Sequence, residues 1–381
     1  MKRTVFNEDH ETFRKVVQDF LARDVQPHYE AWSEAGKVDK SVFHKAGEIG
    51  IPGLQIPEEY GGAGIRSFKF NAVVAEELAR AGVTLGGLAL QTNVLLAYFL
   101  EYASEKQRRR WLPGMASGHI VGSIAMTEPG TGSDLAGMAT TAKRVGDAYV
   151  LNGAKTFITG GINSDLVVVV ARTGKEPDRR DGLSLLIVED GMPGYERGRN
   201  LKKLGLKAQD TAELSFSDVR VPVENLLGEE GKAFEYLGFN LPQERLSTAI
   251  NAQASAETAL DMTIEYVKER KAFGTTVSSF QNTKFELASC AIEIEAGRTM
   301  VDRALDELDE GTLTAADAAK VKVYTTELQS RVIDRCLQLH GGYGFMLEYQ
   351  IARMYADARV TRIFAGTTEV CKSIVSKSLG L

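Results

Sequence analysis

The chain has only three cysteines among its 381 residues, Cys290, Cys336 and Cys371, and no two of them form a CxxC pair. Thiols so few and so scattered cannot build a disulfide framework, and we expect all three to pack as small apolar side chains in a reducing compartment. The five histidines are dispersed and no HExxH sequence occurs. The composition therefore gives little support to thiol redox chemistry or to a metal site.

Long apolar runs and long basic runs are missing as well. The longest apolar stretches, 94–100 and 166–171, are far shorter than the roughly 20 residues that span a bilayer. Lys and Arg number 45 against 51 acidic residues, the formal net charge is −6, and no run gathers the basic residues, so nucleic acid is not an expected partner. The start of the chain shows amphipathic spacing with interleaved acids instead of a targeting segment. We expect a soluble, cytoplasmic protein.

The common nucleotide and hydrolase motifs also fail. Gly130-Thr131-Gly132 begins like a dinucleotide fingerprint, but Leu135 stands at its third glycine position and no βαβ unit surrounds it. The stretch 228–232 lacks the spacing of a phosphate-binding P-loop, and there is no GxSxG sequence. These absences exclude the standard nucleotide-binding and serine-hydrolase interpretations.

What is present is a globular balance, with 44% hydrophobic and 25% charged residues, in three segments of different character. Residues 1–119 have helical periodicity, notably over 68–80 and 91–112, and Pro113-Gly114 is expected to end this segment. Residues 228–381 are helical again. There, Leu287, Ile294, Val301 and Leu308 recur every seven residues, as in one helix of an antiparallel bundle, and a turn at 310–312 precedes a helix over 315–339.

The middle segment, 120–227, consists of short β-rich runs separated by Gly, Asn and Asp. Turn signals such as Asn152-Gly153 and Gly160-Gly161, without long helices between the runs, favour an antiparallel sheet or barrel over a doubly wound fold. The expected strands are 149–151, 155–159, 166–171, 183–188 and 212–216.

One loop at the edge of this sheet is rich in Gly, Thr and Ser. The stretch 126–134 reads Met-Thr-Glu-Pro-Gly-Thr-Gly-Ser-Asp, and its hydroxyls and backbone N–H groups suit the polar edge of a flat heterocycle or an anion. Taken alone, such a loop more often only turns the chain, and Phe157 is as well explained by a core position as by contact with a ring.

Seven short sequence motifs, however, are spread across all three segments. Because they occur in the same order as in the acyl-CoA dehydrogenases, the whole chain resembles that family. These flavin enzymes introduce an α,β double bond into acyl thioesters. The motifs are 57–62, 125–134, 155–161, 210–214, 269–274, 338–344 and 366–367. The resemblance implies an α+β fold with an N-terminal helical domain (1–119), a middle antiparallel β-barrel (120–227) and a C-terminal four-helix bundle (228–381).

The resemblance also implies FAD as cofactor, bound across a subunit interface of a homotetramer. Thr127 would bond the flavin ring, Phe157 would cover it, and Thr159 would lie near its reactive edge. Residues of the C-terminal domain would contact the cofactor of a neighbouring subunit. The cofactor contacts implied are Met126, Thr127, Ser133, Phe157, Ile158, Thr159, Arg270, Phe273, Gln281, Gln338, Leu339, His340, Gly341, Gly342, Thr367 and Glu369. The substrate contacts implied are Ser133, Arg245, Phe364 and Gly366.

The catalytic base is where this chain departs from many relatives. The reaction needs a carboxylate that removes the α-proton, and many members place that glutamate immediately before Gly-Thr near the C-terminus. Here that position is Ala365, whose methyl group cannot act as a base. Long-chain and isovaleryl-type members take the glutamate from the first helix of the last domain, and 241–246, Leu-Pro-Gln-Glu-Arg-Leu, resembles the long-chain type.

Glu244 is therefore the predicted base, while Ala365 keeps a backbone N–H for the thioester oxygen. The alternative is that Glu244 is an acid in a helical first turn, favoured there by the helix dipole. For Arg245, an interhelical salt bridge and a place near the base or CoA remain equally open. Gln91 and the small residues Gly86, Gly87 and Ala89 are expected near the wall of the acyl site.

The function implied is FAD-dependent α,β-dehydrogenation of a medium-chain, long-chain or branched acyl-CoA in fatty acid β-oxidation, with electron-transfer flavoprotein as acceptor. Three alternatives remain open: an acyl-[acyl-carrier-protein] dehydrogenase, an oxidase that passes electrons to oxygen, and a catalytically silent flavin or acyl-CoA binding protein.

Overall fold

A computed structural model describes residues 1–174 and 179–381. Helices occupy both ends of the chain and strands occupy the middle, as the sequence predicts. The helices are α1 (Glu8–Phe20), α2 (Tyr29–Ala35), α3 (Ser41–Glu48), α4 (Lys69–Ala81), α5 (Gly87–Leu90), α6 (Leu96–Tyr102), α7 (Glu105–Ala116), α8 (Ala233–Glu269), α9 (Gln281–Asp309), α10 (Ala315–His340), α11 (Gln350–Ala358) and α12 (Thr368–Ser378).

The helical N-terminal part differs from expectation where one helix was predicted over 91–112. The structure divides this stretch into a π-helical turn (Gln91–Leu95), α6 and α7. Ser104 starts α7 with a capping box, in which its hydroxyl and the Gln107 side chain satisfy each other's backbone N–H groups. The prediction that Pro113 ends the segment is wrong, because α7 continues through it to Ala116.

Eight strands form one sheet in the middle of the chain. They are β1 (Gly122–Ala125), β2 (Thr141–Val145), β3 (Ala148–Thr159), β4 (Leu166–Arg172), β5 (Leu183–Glu189), β6 (Tyr195–Asn200), β7 (Thr211–Pro222) and β8 (Leu226–Leu227). Their order is β6-β7-β3-β2-β4-β5-β8, and β1 pairs with β4. The turn predicted at Asn152-Gly153 is instead a register shift within the continuous strand β3, where Gly153 has φ +148°.

The sheet curls as a barrel does, because β5 approaches β7, four places away in the strand order. Its inward residues share one core, to which Leu151, Val169, Leu186 and Phe216 belong. Two details differ from a closed antiparallel barrel. The β1–β4 pairing and a short β2–β4 pairing are parallel, and among the described residues no hydrogen-bonded pairing joins β6 to β8.

The outer face of β4 and β5 packs against α6, α7 and the start of α8, so both faces of these strands are buried. This explains why 166–171 reads as a continuous apolar run instead of an alternating one. The long helices α8, α9 and α10, together with α12, pack as the expected bundle, and α4 of the N-terminal part packs along α8. A short hairpin, β9 (Lys271–Ala272) with β10 (Thr275–Thr276), connects α8 to α9.

All three cysteines are buried and unpaired, as expected. No helix among residues 1–174 and 179–381 combines the length and apolar character needed to cross a bilayer. Within the same residues, no cluster of three or more His, Cys, Asp or Glu side chains could hold a metal ion.

Candidate active site

A cavity of about 220 Å³ lies where the three parts of the chain meet. Helix α4 and the turns that follow it form one wall, α8 forms another, and the end of strand β3 contributes Thr159. The loop before α12 contributes Phe364. Ala89 and Gly86 line the cavity as the sequence predicted, but Gly87 and Gln91 do not. The Gln91 side chain is buried and binds backbone, with Oε1 accepting from the Gly122 N–H at 2.7 Å.

Glu244 lines this cavity and lies within α8, away from both ends of the helix. The helix begins at Ala233 and runs through Pro242, so the alternative that Glu244 is an acid in a helical first turn is wrong. Its Oε2 atom is buried and has no hydrogen-bond partner among the described residues. Burial raises the pKa of Glu244 to about 6, because desolvation outweighs the opposing effects of the nearby Arg245 and Lys322 cations. The carboxylate is thus poised to accept a proton near neutral pH.

Arg245 lies beside Glu244 and is 4% exposed. No ion pair involves it within the part of the chain that the structure describes, so of the two alternatives for Arg245 the interhelical salt bridge is not formed. Its Nε atom is buried without a hydrogen-bond partner among those residues. A β-carbon added at Gly366 would lie 3.8 Å from this atom, which places the guanidinium next to the loop that carries Ala365.

The loop 364–366 has an unusual backbone that Lys322 holds in place. Ala365 has φ +54° and Gly366 has φ +91°, a left-handed conformation that costs a residue with a β-carbon energy unless its surroundings impose it. Lys322, fully buried in α10, donates from Nζ to the carbonyls of Phe364 at 3.0 Å and Gly366 at 2.6 Å. The Ala365 N–H donates to no group among the described residues.

A buried lysine, Lys155, fixes the Gly-, Thr- and Ser-rich loop 126–134. Lys155 Nζ donates to the Met126 carbonyl at 3.0 Å and to Glu128 Oε1 at 2.8 Å. The Thr156 N–H donates to the Thr127 carbonyl at 2.9 Å. Ser133 lies exposed beyond this anchored stretch. The loop therefore has a defined backbone, with polar groups at its outer side.

Strand β3 divides its three predicted cofactor contacts between two faces. Phe157 is 67% exposed with φ +60°, and Thr159 lines the cavity, whereas Ile158 packs into the core of the sheet. Side chains alternate along a strand, so Ile158 can offer only backbone groups to a ligand. The prediction of a cofactor contact for Ile158 therefore does not extend to its side chain.

A second depression, of about 440 Å³, lies at the far end of the bundle. Arg270 and the stretch 338–342 line it, so the structure brings together residues that the sequence placed far apart. His340 is buried, stacks on Tyr266 at 4.2 Å, and its Nδ1 lies 2.9 Å from the Cys336 carbonyl. Burial lowers the pKa of His340, which favours the neutral ring.

Residues around this depression project outward. Phe273, at the tip of the β9–β10 hairpin, is 96% exposed with φ +53°, and its ring lies 6.2 Å from that of Phe280. Gln281, at the start of α9, is exposed as well. A contiguous patch of exposed apolar side chains marks an interaction surface in many soluble proteins.

Thr367 and Glu369 form the beginning of α12. The Thr367 hydroxyl accepts a hydrogen bond from the Val370 N–H at 3.2 Å and caps the helix. The backbone N–H of Glu369 and the Thr367 hydroxyl hold the pKa of the Glu369 carboxyl below its ordinary value. Neither residue lines the cavity that contains Glu244 or the second depression.

Three family models cover nearly the whole chain. They are the N-terminal, middle and C-terminal domains of acyl-CoA dehydrogenase, matched over 7–119, 123–219 and 232–380. The chain belongs to the acyl-CoA dehydrogenase family. Its helix–sheet–helix order is the order of these three domains.

Individual relatives agree over the full length. The chain is 44% identical over 378 residues to the long-chain specific acyl-CoA dehydrogenase, mitochondrial, of Sus scrofa, covering 99% of this chain and 88% of that one. A crystal structure of an acyl-CoA dehydrogenase from Geobacillus kaustophilus is 46% identical, with a TM-score of 0.97 and 99% of both chains covered. An acyl-CoA dehydrogenase from Bacillus anthracis, solved in complex with FAD, is 31% identical with a TM-score of 0.90, covering 100% of this chain and 70% of that one.

The residues of this family member fit a large flat cofactor with a phosphate-bearing tail. A β-carbon added at Gly130, Gly132, Gly341 or Gly342 would meet no atom within 4 Å, so both glycine-containing turns are open to a ligand. Thr127 is half-buried in the first of these turns, Thr159 lines the cavity, and Arg270 supplies a cation at the second depression. The groups around the first turn would suit the ring of such a cofactor, and those at the second depression would suit a phosphate-bearing tail.

Sequence reasoning missed Lys322 and the polar wall of the cavity. A signal for Lys322 does exist in α10, where Ala318, Ala319, Thr325 and Thr326 share its buried face. A lysine among small residues at helical spacing indicates a buried cation with a specific partner. The partner itself, a loop 42 residues further along the chain, was not indicated.

Proposed function

We propose that the protein is an FAD-dependent acyl-CoA dehydrogenase that converts a saturated medium-chain, long-chain or branched acyl-CoA to its trans-2-enoyl thioester. The single observation that carries this proposal is the Glu244 carboxylate, buried at a cavity with an unpartnered Oε2 and a raised pKa. A carboxylate without a partner is a poor structural element and a good proton acceptor.

In the proposed reaction Glu244 removes the α-proton of the bound thioester. FAD, when bound, would supply the acceptor of the β-hydride, so that the α-proton goes to Glu244 and one C=C bond forms as two C–H bonds break. Negative charge develops on the thioester oxygen as the proton leaves, and the free Ala365 N–H is the donor we assign to it. The loop geometry that presents this N–H depends on Lys322.

We assign Arg245, Phe364 and Gly366 to the substrate side of the site, and Met126, Thr127, Ser133, Phe157 and Thr159 to the flavin side. Arg270, Phe273, Gln281, Thr367, Glu369 and the stretch 338–342 are assigned to the cofactor of a neighbouring subunit. The outward Phe273 supports this assignment, as do the exposed Phe285 and Ile292 on α9. The proposed assembly is a homotetramer, and the proposed electron acceptor is electron-transfer flavoprotein.

A catalytically silent acyl-CoA binding protein is the alternative that Ala365 favours, because it lacks the carboxylate found there in many relatives. The environment of Glu244 argues against it. A retained, buried and unpaired acid facing the cavity has no structural purpose that a glutamine would not serve better.

Anaerobic titration of the purified holoenzyme with palmitoyl-CoA tests the proposal. Bleaching of the visible flavin absorbance, with a long-wavelength band from a complex of reduced flavin and enoyl product, is the expected result. A spectral shift without bleaching would replace dehydrogenation by simple binding. If palmitoyl-CoA gives no response, then short-chain, branched and carrier-protein-bound acyl groups are titrated in that order, and failure of all of them contradicts the proposal.

A further inference from the structure

The wall of the cavity beyond Glu244 carries polar side chains along one face of α8. Ser247 and Thr248 lie about one turn after Glu244, and Asn251 and Ser255 lie one and two turns further along. All four line the cavity. Residues at this spacing share one face of a helix. With a rise of about 1.5 Å per residue, Asn251 lies about 10 Å from Glu244 along the helix axis. The polar face therefore continues well past the reacting carbons of a bound acyl group.

The opposite wall supplies a buried amide oxygen that has no partner. Asn71 in α4 is 3% exposed, and its Nδ2 donates to Asn93 Oδ1 at 2.9 Å. Asn93 in turn donates from Nδ2 to the Ser247 hydroxyl at 3.0 Å, which joins the two walls. These bonds fix the Asn71 amide with its Oδ1 acceptor buried, lacking any donor among the described residues, beside the cavity that Asn71 lines. A buried acceptor left without a donor is costly.

Asn251 is the second amide without a partner. It is exposed although its neighbours Ile250 and Ala252 are fully buried in the bundle, because its side chain faces the cavity. No hydrogen bond of its side chain to a described residue is formed. Methylene groups of an unsubstituted acyl chain would leave both Asn71 and Asn251 unsatisfied, whereas a hydroxyl group donates to an amide oxygen and accepts from an amide N–H.

We propose that the preferred substrate is an acyl thioester with a hydroxyl group in the middle of its chain, bound between Asn71 and Asn251. This inference rests on the proposed dehydrogenation and narrows its substrate class. A keto or ether oxygen fits less well, because it has no proton to donate to Asn71 Oδ1. The hydroxyl serves recognition only and takes no part in the removal of hydrogen at the α- and β-carbons.

The experiment compares palmitoyl-CoA with its monohydroxylated isomers, with the hydroxyl moved stepwise along the chain, by kcat/KM and by the rate of anaerobic flavin reduction. One mid-chain isomer is expected to exceed the unsubstituted chain by about tenfold in kcat/KM, since it satisfies a buried acceptor. Isomers with the hydroxyl near either end of the chain are expected to fall below it. If no isomer exceeds palmitoyl-CoA, the proposal is overturned.

Two variants locate the effect. Asn71→Leu removes the unpartnered oxygen but also breaks the bond to Asn93, so the fold of this variant is in question. Asn251→Leu breaks no hydrogen bond to a described residue. It is expected to lower kcat/KM for the best hydroxylated isomer, to raise it for palmitoyl-CoA, and so to reduce their ratio about tenfold. Asn282→Leu, the same exchange at an exposed position of α9 outside the cavity, is expected to keep the wild-type ratio.

The outcomes separate this inference from the function on which it rests. Flavin reduction by palmitoyl-CoA together with no preference for any hydroxylated isomer overturns only the hydroxyl site. An unchanged ratio in Asn251→Leu does the same. Absence of flavin reduction by every isomer and by the unsubstituted chain overturns the hydroxyl site, and the titration of short-chain, branched and carrier-protein-bound acyl groups then decides the proposed dehydrogenation.

Discussion

Glu128 and Glu244 are two glutamates with desolvated carboxylates in opposite situations. Glu128 accepts from Lys155 Nζ at 2.8 Å, from the Ala139 N–H at 2.7 Å and from the Thr140 N–H at 3.0 Å. Burial by itself would raise the pKa of Glu128, but these donors outweigh burial and hold it below its ordinary value. Glu244, by contrast, leaves Oε2 without a partner among the described residues, and its pKa rises to about 6.

The comparison shows that burial alone does not decide what a carboxylate does. Donors placed around Glu128 stabilise its charge and make it an anchor for the loop 126–134. The lack of such donors around Glu244 keeps its charge costly and its oxygen available for a proton. The same residue type is structural in one place and reactive in the other because of its partners.

The largest expected effect comes from removing the reactive carboxylate. Glu244→Gln is expected to keep bound FAD and to slow flavin reduction by acyl-CoA at least about a hundredfold, because no other acid replaces the base. Stopped-flow absorbance measures this rate. The matched control is Glu257→Gln, which changes an acid of the same helix that is ion-paired with Arg298 and is expected to stay near the wild-type rate. A Glu244→Gln rate close to that of wild type would refute the assignment.

The anchored carboxylate predicts a loss of stability. Lys155→Met leaves the Glu128 charge buried without its cation and is expected to lower the free energy of unfolding by about 3 kcal/mol. Denaturant titration of the holoenzyme measures the change. The double variant Glu128→Gln with Lys155→Met is expected to recover part of the loss, because neither charge is then left alone. Equal stability of Lys155→Met and wild type would contradict the structural role given to this pair.

The Glu244 carboxylate, unlike that of Glu128, is expected to make the folded protein less stable when it is charged. Its pKa rises on folding from the ordinary value of 4.5 to about 6, so the folded state binds the proton more tightly and the wild type loses stability as pH rises through this window. The loss amounts to about 2 kcal/mol and is complete above the folded pKa. Glu244→Gln lacks this loss, so its stability relative to wild type is expected to increase from pH 4 to pH 8. A difference that does not change with pH would show that Glu244 is not desolvated.

The smallest expected effect concerns the second buried lysine. Lys155 pairs with a carboxylate, whereas Lys322 binds two carbonyls and holds the loop that carries Ala365. Lys322→Met is expected to lower kcat about tenfold with a smaller change in KM, because the oxyanion donor loses its position. Lys322 also lowers the pKa of Glu244, so the acidic limb of the kcat/KM profile is expected to move to higher pH. An unmoved limb would leave Lys322 with a structural role alone.

Much of the fold could be predicted from local pattern. Heptad spacing predicted α9, and β-rich runs predicted strands β4 and β5, because periodicity and propensity are properties of neighbouring residues. The break at Ser104 and the passage of α7 through Pro113 were not predicted. Ser104 and Gln107 do form the local capping-box pattern, so the break at Ser104 was readable from neighbouring residues. The passage through Pro113 depends on packing of α7 against the sheet, which overrides the local signal.

The features of the candidate site also form two groups, those predicted from local pattern and those that depend on packing. Sequence reasoning selected Glu244, Ala365 and the stretch 338–342 because each lies in a short recognisable motif. The partners of these residues were not visible in the chain. Lys322 meets the Ala365 loop across 42 residues and Asn71 meets Asn93 across 22, and each pairing exists only once the helices pack.

The sequence by itself determined the order of helical, sheet and helical parts and the residue types available for chemistry. The tertiary structure alone decided which charges are paired, which amide oxygens are left without a donor, and which helices enclose the cavity. The physical reason is that desolvation and hydrogen bonding depend on every group within a few ångströms, and most of those groups are distant in the chain. Only the folded molecule therefore shows that the Glu128 carboxylate is paired with Lys155 and that Glu244 Oε2 has no partner among the described residues.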